Sequence, residues 1–140
     1  MILSIISLLV SPLFINIYPL IISFIFLYDK NNKKENIFFT LILGLLYDIL
    51  YLNIYINIIL FPLIYVLIDY YFSIKKYTLK NIILLLMFII FTYNLITYVL
   101  LNIFNIYTYN YTYFITNLLF IYLLNIIYTI LLYLIIKRKK

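Results

Sequence analysis

Apolar residues occupy this chain in long runs that are separated by short polar segments. A transmembrane helix needs about 17–25 mostly apolar residues. Four runs reach this length, at roughly 36–52, 55–74, 81–103 and 113–136. Each of them predicts one membrane-spanning helix.

The first apolar run, residues 2–28, is long for one helix and contains Pro12, Asn16 and Pro19. Because proline disfavours the helical conformation at the residue before it, we predict two short helices with a break near Asn16–Pro19. A single tilted span is the alternative. The pattern therefore predicts one all-α membrane domain, residues 1–140, with about six transmembrane helices.

The basic residues lie in three clusters, which predict how the chain is oriented. Together the clusters contain all ten cations: Lys30, Lys33, Lys34, Lys75, Lys76, Lys80, Lys137, Arg138, Lys139 and Lys140. Short loops rich in Lys and Arg stay in the cytoplasm. With six spans, the clusters and both termini are cytoplasmic, and the uncharged connections at 16–19, 52–54 and 104–112 are outside. With one span over 2–28, only the N-terminus changes side. We expect the cations to set the topology and to contact lipid headgroups.

Composition agrees with a membrane protein and narrows its chemistry. Hydrophobic residues make up 69% of the chain and charged residues 10%, against about 25% charged in soluble domains. Cys and His are absent, so thiolate chemistry and the commonest general base are excluded. Four acidic residues do not favour a carboxylate metal cage. We therefore predict a protein that is not an enzyme, with no metal or cofactor. The cations do not form a basic face with stacking aromatics, so we expect no nucleic-acid partner.

Thr40, Gly44 and Asp48 follow one another at a spacing of four within the span 36–52, so they share one helix face. The Thr40–Gly44 pair lets another helix approach closely. Charged groups inside a membrane usually face protein or water. We predict a helix-packing or partner-binding face with an acid at its outer end. One alternative is a role for Asp48 in proton relay or substrate coordination. Another is that it lies one turn from the outer surface, is reached by water and caps nothing.

Other polar residues form stripes at helical spacing. These stripes are Asn57–Phe61–Tyr65–Asp69, Asn94–Tyr98–Asn102 and Asn117–Ile121–Asn125–Tyr128. For Asp69 we favour an interfacial acid near Lys75 and Lys76. The amide stripes suit an oriented bundle, which we favour, or the lining of a polar cavity.

Aromatic residues alternate in the connection between the last two spans. Tyrosines stand at every second position, at Tyr107, Tyr109, Tyr111 and Tyr113. Alternation with a period of two is typical of an extended segment. Such a segment can add as a strand to a partner outside the membrane. The alternative, which we favour, is an aromatic belt at the lipid headgroups.

Two segments carry a resemblance to a known family. Pro19-Leu20-Ile21-Ile22 opens a second hydrophobic stretch, and Gly44-Leu45-Leu46-Tyr47-Asp48-Ile49-Leu50 fits the pattern G-L-L-x-D-hydrophobic. With its length and number of spans, the chain resembles the rod shape-determining protein MreD family of bacteria. One departure is that the family commonly has a Gly just after the span that bears the Asp. Here Asn53-Ile54-Tyr55 stands at that place, so we expect the outer turn to differ in shape.

The resemblance implies a non-enzymatic subunit of the cell-elongation machinery in the cytoplasmic membrane. Its implied partners are an MreC-like membrane protein and, through it, the wall-synthesis complex that makes peptidoglycan. It also implies a helical bundle similar to the substrate-binding subunits of vitamin transporters. The main alternative is therefore a substrate-binding subunit of an energy-coupling-factor-type transporter, which needs a polar cavity and a small-residue helix face. A carrier of lipid-linked sugars would need basic residues inside the membrane, and the spans contain none.

Overall fold

A computed structural model of the chain describes residues 1–11, 17–29, 32–52, 55–103 and 111–138. Within these ranges the side chains of residues 52, 101, 102, 111–116 and 138 are not described. The described helices, in chain order, are α1 (Ile2–Val10), α2 (Pro19–Leu27), α3 (Lys33–Tyr47), a π-helical segment (Asp48–Leu52), α4 (Asn57–Ile74), α5 (Leu79–Ile103) and α6 (Tyr111–Arg138). The described ranges contain no strand, which confirms the predicted all-α class.

Three of the described helices are long and apolar enough to cross a membrane, judged by length and composition. They are Asn57–Ile74 in α4, Leu79–Leu100 in α5 and Asn117–Lys137 in α6. The protein is therefore an all-helical membrane protein, as the hydrophobic runs predict.

The first apolar run forms two separate helices rather than one span. Helices α1 and α2 have nine residues each, and α2 begins at Pro19, where the fixed φ of proline suits the first helical position. At 1.5 Å per residue each helix is about 14 Å long, roughly half the thickness of the hydrocarbon core. Each of these two helices is therefore too short to cross a bilayer alone.

Helix α2 lies in the centre of the bundle. Every residue from Pro19 to Ile25 is buried. Phe24 meets Phe61 of α4 edge to face, with ring centroids 5.2 Å apart. The surrounding core comes mainly from α4 and α5, through the buried residues Ile64, Ile68, Ile82, Leu86 and Ile89.

Helices α5 and α6 lie at the periphery of the described bundle. Only 33% of the apolar window of α5 and 11% of that of α6 are buried. Among the α6 residues whose side chains are described, the buried ones are Ile121, Asn125 and Thr129, which form a single stripe at a spacing of four. Partly buried residues, among them Tyr122 and Tyr128, flank this stripe, whereas Leu119, Leu123 and Ile127 are exposed.

Candidate functional site

Asp48 is fully buried, at the point where α3 passes into the π-helical segment. Its Oδ1 accepts a hydrogen bond from Asn57 Nδ2 at 2.7 Å, and its Oδ2 accepts one from the backbone N–H of Ile58 at 3.0 Å. Ile58 belongs to the first turn of α4, whose N–H groups have no partner inside the helix. The carboxylate therefore caps α4 and lies at the positive end of its dipole. The alternative in which Asp48 is reached by water and caps nothing is wrong for this structure.

Gly44 lies where α3 and α4 touch backbone to backbone. A Cβ atom on Gly44 would stand 2.3 Å from the carbonyl oxygen of Asn57 and 2.9 Å from Cα of Ile58. No side chain fits at these distances, so the close approach of the two helices requires glycine. One turn earlier, Thr40 is fully buried and donates its hydroxyl hydrogen to the carbonyl of Ile37 at 2.8 Å. The predicted face is thus covered by α4 of the same chain; a role in binding a partner protein stays a prediction.

The contact continues toward the other end of the two helices. Asn36 Nδ2 donates to the hydroxyl oxygen of Tyr65 at 2.8 Å, and both residues are buried. Lys33 forms an ion pair with Asp69. We call this set of contacts, from the Lys33–Asp69 pair to the cap by Asp48, the α3–α4 seam. Its α4 side is the predicted stripe Asn57–Phe61–Tyr65–Asp69, and all four residues are buried.

Asp69 has a different partner from the one that its sequence position suggested. We expected an acid near Lys75 and Lys76, but the described ion pair joins it to Lys33, at the start of α3. The antiparallel packing of α3 and α4 explains the difference, because it brings the first turn of α3 beside the last turns of α4. The hydrogen bond and charge of Asp69 raise the pKa of Lys33.

A second group of polar contacts connects the seam to α2, α5 and α6. The Tyr93 hydroxyl donates to Asn57 Oδ1 at 2.9 Å, so Asn57 bridges Tyr93 and Asp48. At the start of α2, the Tyr18 hydroxyl donates to Asn94 Oδ1 at 2.7 Å, and the Tyr18 backbone N–H donates to Asn125 Oδ1 at 2.8 Å. Asn94 and Asn125 thus join helices, as we favoured for the amide stripes.

A small cavity of about 60 Å³ lies beside these contacts. Its lining residues come from the end of α1, from α2 and the residues just before it, and from α3, α4 and α5: Ser11, Ile17, Tyr18, Leu20, Ile21, Tyr47, Phe61 and Tyr93. Four of the eight are aromatic. It is far smaller than the roughly 300–1,000 Å³ of pockets that enclose small-molecule ligands.

The remaining predicted residues lie away from this site. Among the loop tyrosines, Tyr107 and Tyr109 are outside the described residues, whereas Tyr111 and Tyr113 lie in the first turn of α6. The extended conformation that we considered for this segment is therefore wrong for its last part. Lys34, Lys75, Lys76, Lys80 and Lys137 are exposed, and Arg138 ends α6. Lys30, Lys139 and Lys140 are outside the described residues.

Several residues of the site escaped the sequence analysis. Asn36 stands four residues before Thr40, so the stripe could have been extended by one turn. Ser11, which lines the cavity just after α1, continues a polar stripe from Ser4 and Ser7 of that otherwise apolar helix, and this spacing is also a readable signal. No local pattern points to Tyr18 or Tyr93, because their partners are on distant helices.

Comparison of the chain with protein-family models, with curated proteins and with solved structures finds no match.

Proposed function

We propose that this protein is a non-enzymatic, multi-pass subunit of the bacterial cell-elongation machinery in the cytoplasmic membrane. In this role it binds an MreC-like membrane protein and, through it, the complex that synthesises the peptidoglycan wall. The proposal rests on the resemblance to the MreD family, and in particular on the motif Gly44–Leu50.

The structural observation that carries the proposal is the contact that Gly44 and Asp48 make with α4. Gly44 and Asp48 lie one helical turn apart, and both meet the same place, the first turn of α4. The glycine permits backbone contact there, and the carboxylate satisfies a backbone N–H that has no partner inside the helix. Both residues act on helix packing, which is the work expected of a scaffold subunit.

The proposed topology has six helical segments inside the membrane and both termini in the cytoplasm. Helices α1 and α2 are the first two segments, and each of them extends only part of the way into the bilayer. The third is the continuous helical run of α3 and the π-helical segment, from Lys33 to Leu52. The exposed cations at both ends of the 75–80 loop support a cytoplasmic position of that loop.

Uncovered apolar surface on α5 and α6 is available to a second membrane protein as well as to lipid. On α6 the exposed residues include Leu119, Phe120, Leu123, Ile127 and Leu131, and on α5 they include Phe88 and Phe91. In lipid, helices associate through close packing of such faces rather than through a hydrophobic effect. Under the proposal, part of this surface contacts lipid and part contacts the partner.

The alternative is a substrate-binding subunit of an energy-coupling-factor-type transporter. Such a protein needs a cavity that encloses a vitamin-sized molecule. The cavity beside Tyr93 holds about 60 Å³, which is space for a group of only a few atoms. This size favours the scaffold.

Site-specific photo-cross-linking in living cells tests the proposal. Benzoylphenylalanine replaces Phe120 of α6 or Phe88 of α5, whose side chains are 53% and 55% exposed. The matched control replaces the fully buried Phe24. We expect adducts with an MreC-like protein or a wall-synthesis enzyme from at least one exposed position and none from Phe24. Adducts are purified through a tag and identified by mass spectrometry.

The same experiment separates the two functions. Adducts with ATPase subunits and a transport partner would make the protein a transporter subunit and would overturn the proposal. Failure of both exposed positions to cross-link any protein would also contradict a scaffold that binds through α5 or α6.

A further inference from the structure

The cavity beside Tyr93 combines an unusual arrangement of hydroxyl groups with a buried negative charge. Its position follows from the contacts of Tyr18, which bonds to Asn94 of α5 and Asn125 of α6. At 1.5 Å per residue, Asn94 is about 22 Å from the start of α5, and Asn125 is about 20 Å from the end of α6. The cavity is therefore at a depth that belongs to the membrane interior of both helices.

Three of the four hydroxyl groups on the lining residues, those of Tyr18, Tyr93 and Ser11, have already donated their hydrogens to other parts of the protein. Tyr93 donates to Asn57 Oδ1 at 2.9 Å, and Ser11 donates to the carbonyl of Ser7 at 2.7 Å. The Asn57 nitrogen donates to Asp48, so the Asn57 oxygen is the atom that accepts from Tyr93. Tyr93 and Ser11 therefore offer oxygen lone pairs, and they accept hydrogen bonds from a bound group rather than donate to it.

The charge behind the cavity favours a cationic donor. Both oxygens of the Asp48 carboxyl group accept hydrogen bonds from N–H groups, one from Asn57 Nδ2 and one from the backbone of Ile58. Among the residues that the structure describes, no cation pairs with Asp48; the described salt bridge joins Lys33 and Asp69. The Asp48–Asn57–Tyr93 chain aligns its dipoles so that the Tyr93 oxygen is the negative end. In a low-dielectric interior such an alignment strengthens each bond in the chain.

The rest of the lining suits an organic cation better than a metal ion. Four rings border the cavity, those of Tyr18, Tyr47, Phe61 and Tyr93, and aromatic rings attract ammonium groups. A hard metal ion needs about six or more oxygen ligands, whereas an alkylammonium group needs only two or three acceptors. One water molecule needs about 10–15 Å³ of cavity volume. A cavity of about 60 Å³ therefore has room for roughly four or five small atoms.

We propose that this cavity is a binding site for a primary alkylammonium group, held by the acceptor oxygens of Tyr93 and Ser11 and by the field of Asp48. The group can belong to a small soluble amine or to the ethanolamine headgroup of a phospholipid. The inference does not depend on the proposed function, because it rests only on the contacts around the cavity.

Binding of ethylammonium chloride to the purified protein in maltoside micelles tests the site. Saturation-transfer NMR gives the dissociation constant, with ethanol as the uncharged probe of the same size and sodium chloride at equal ionic strength as the salt control. We expect saturable binding of ethylammonium and none of ethanol. Equal binding of both probes, or no saturable binding of ethylammonium, would overturn the proposal.

Two variants and a matched control connect binding to the cavity. Tyr93→Phe and Ser11→Ala each remove one hydrogen-bond acceptor from the cavity. Because the lost bond is to a charged group, we expect each variant to bind ethylammonium at least about tenfold more weakly. Tyr70→Phe makes the same chemical change on a ring that is 66% exposed on α4, and it should bind like the original protein. Ser11→Ala keeps the seam intact, so it remains informative if Tyr93→Phe does not fold. Unchanged affinity in Ser11→Ala and in folded Tyr93→Phe would refute the assignment.

Added lipid identifies the source of the ammonium group. Displacement of ethylammonium by ethanolamine phospholipid, but not by glycerol phospholipid, would support the site and identify a headgroup as its occupant. Ethylammonium binding that neither lipid displaces would support the site and indicate a soluble amine.

Discussion

Replacement of Gly44 by alanine is the most direct test of the contact between α3 and α4. The added Cβ atom would stand 2.3 Å from the Asn57 carbonyl oxygen, 2.7 Å from its carbon and 2.9 Å from Cα of Ile58. All three atoms are backbone, so no side chain can rotate away. Since ordinary contact begins near 3.4 Å, the two helices must separate by about 1 Å locally.

The cost of this separation has three parts. Overpacking in a well-packed interface costs about 1–3 kcal/mol. Moving α4 by about 1 Å also stretches the 3.0 Å bond from the Ile58 N–H to Asp48 beyond hydrogen-bonding distance, and a bond to a charged group contributes about 1.5–3 kcal/mol. Alanine returns at most about 1 kcal/mol through its higher helix propensity. We therefore expect Gly44→Ala to lower the free energy of unfolding by about 1.5–5 kcal/mol.

Unfolding by dodecyl sulfate in mixed maltoside micelles, followed by tyrosine fluorescence, measures this change. The matched control is Val66→Ile, which also adds one carbon but on a face of α4 that is 40% exposed. We expect the control to change stability by no more than about 0.5 kcal/mol. Equal stability of Gly44→Ala and Val66→Ile would refute the close contact, and with it the structural explanation of the Gly44–Asp48 motif.

Three further predictions concern the cap, the inner end of the bundle and the topology. Asp48→Asn should destabilise the fold by about 1–3 kcal/mol, because a second amide then faces Asn57. Adding Asn57→Asp should recover much of this loss. Absence of recovery in dodecyl sulfate unfolding would contradict the cap. Partial burial of Tyr77, which is 42% exposed, and to a lesser extent Tyr133 raise the pKa of Tyr77 to about 12, so its neutral form stabilises the fold fully below about pH 10. That stability is lost as the pH rises through 12, and a Tyr77→Phe variant measured alongside should lose less over this range. A reporter fused to the C-terminus should give a cytoplasmic signal, and an external signal would overturn the proposed orientation.

The broad architecture was predictable because the membrane imposes it. Backbone groups in lipid must bond within their own helix, so long apolar runs leave little choice of structure. The four long runs form α3 with its π-helical extension, α4, α5 and α6. The ends of these helices lie within three residues of the predicted ends. The prolines correctly indicated two short helices in the first run. The central position of α2 was not predictable, because an apolar run reads the same whether protein or lipid surrounds it.

The site was predictable only where its residues share a helix. The spacing of Thr40, Gly44 and Asp48 showed a common face, and the stripe on α4 showed its counterpart. Their partners were not readable, since hydrogen bonds such as that between Tyr18 and Asn94 join residues far apart in sequence. For Asp69, proximity in sequence favoured the wrong lysines because the antiparallel pairing of α3 and α4 was not considered.

The polar residues of the seam explain how so apolar a chain can specify one arrangement of its helices. Ile and Leu faces pack against lipid tails nearly as well as against each other, so they discriminate little between helix pairings. The seam adds contacts that only one register satisfies. They are an ion pair at Lys33, a side-chain hydrogen bond at Asn36, a backbone contact at Gly44 and a helix cap at Asp48. A shift of α3 by one turn would break all four together and leave a carboxylate buried without donors. Each contact is weak alone, yet their common dependence on one register makes the pairing of α3 with α4 specific.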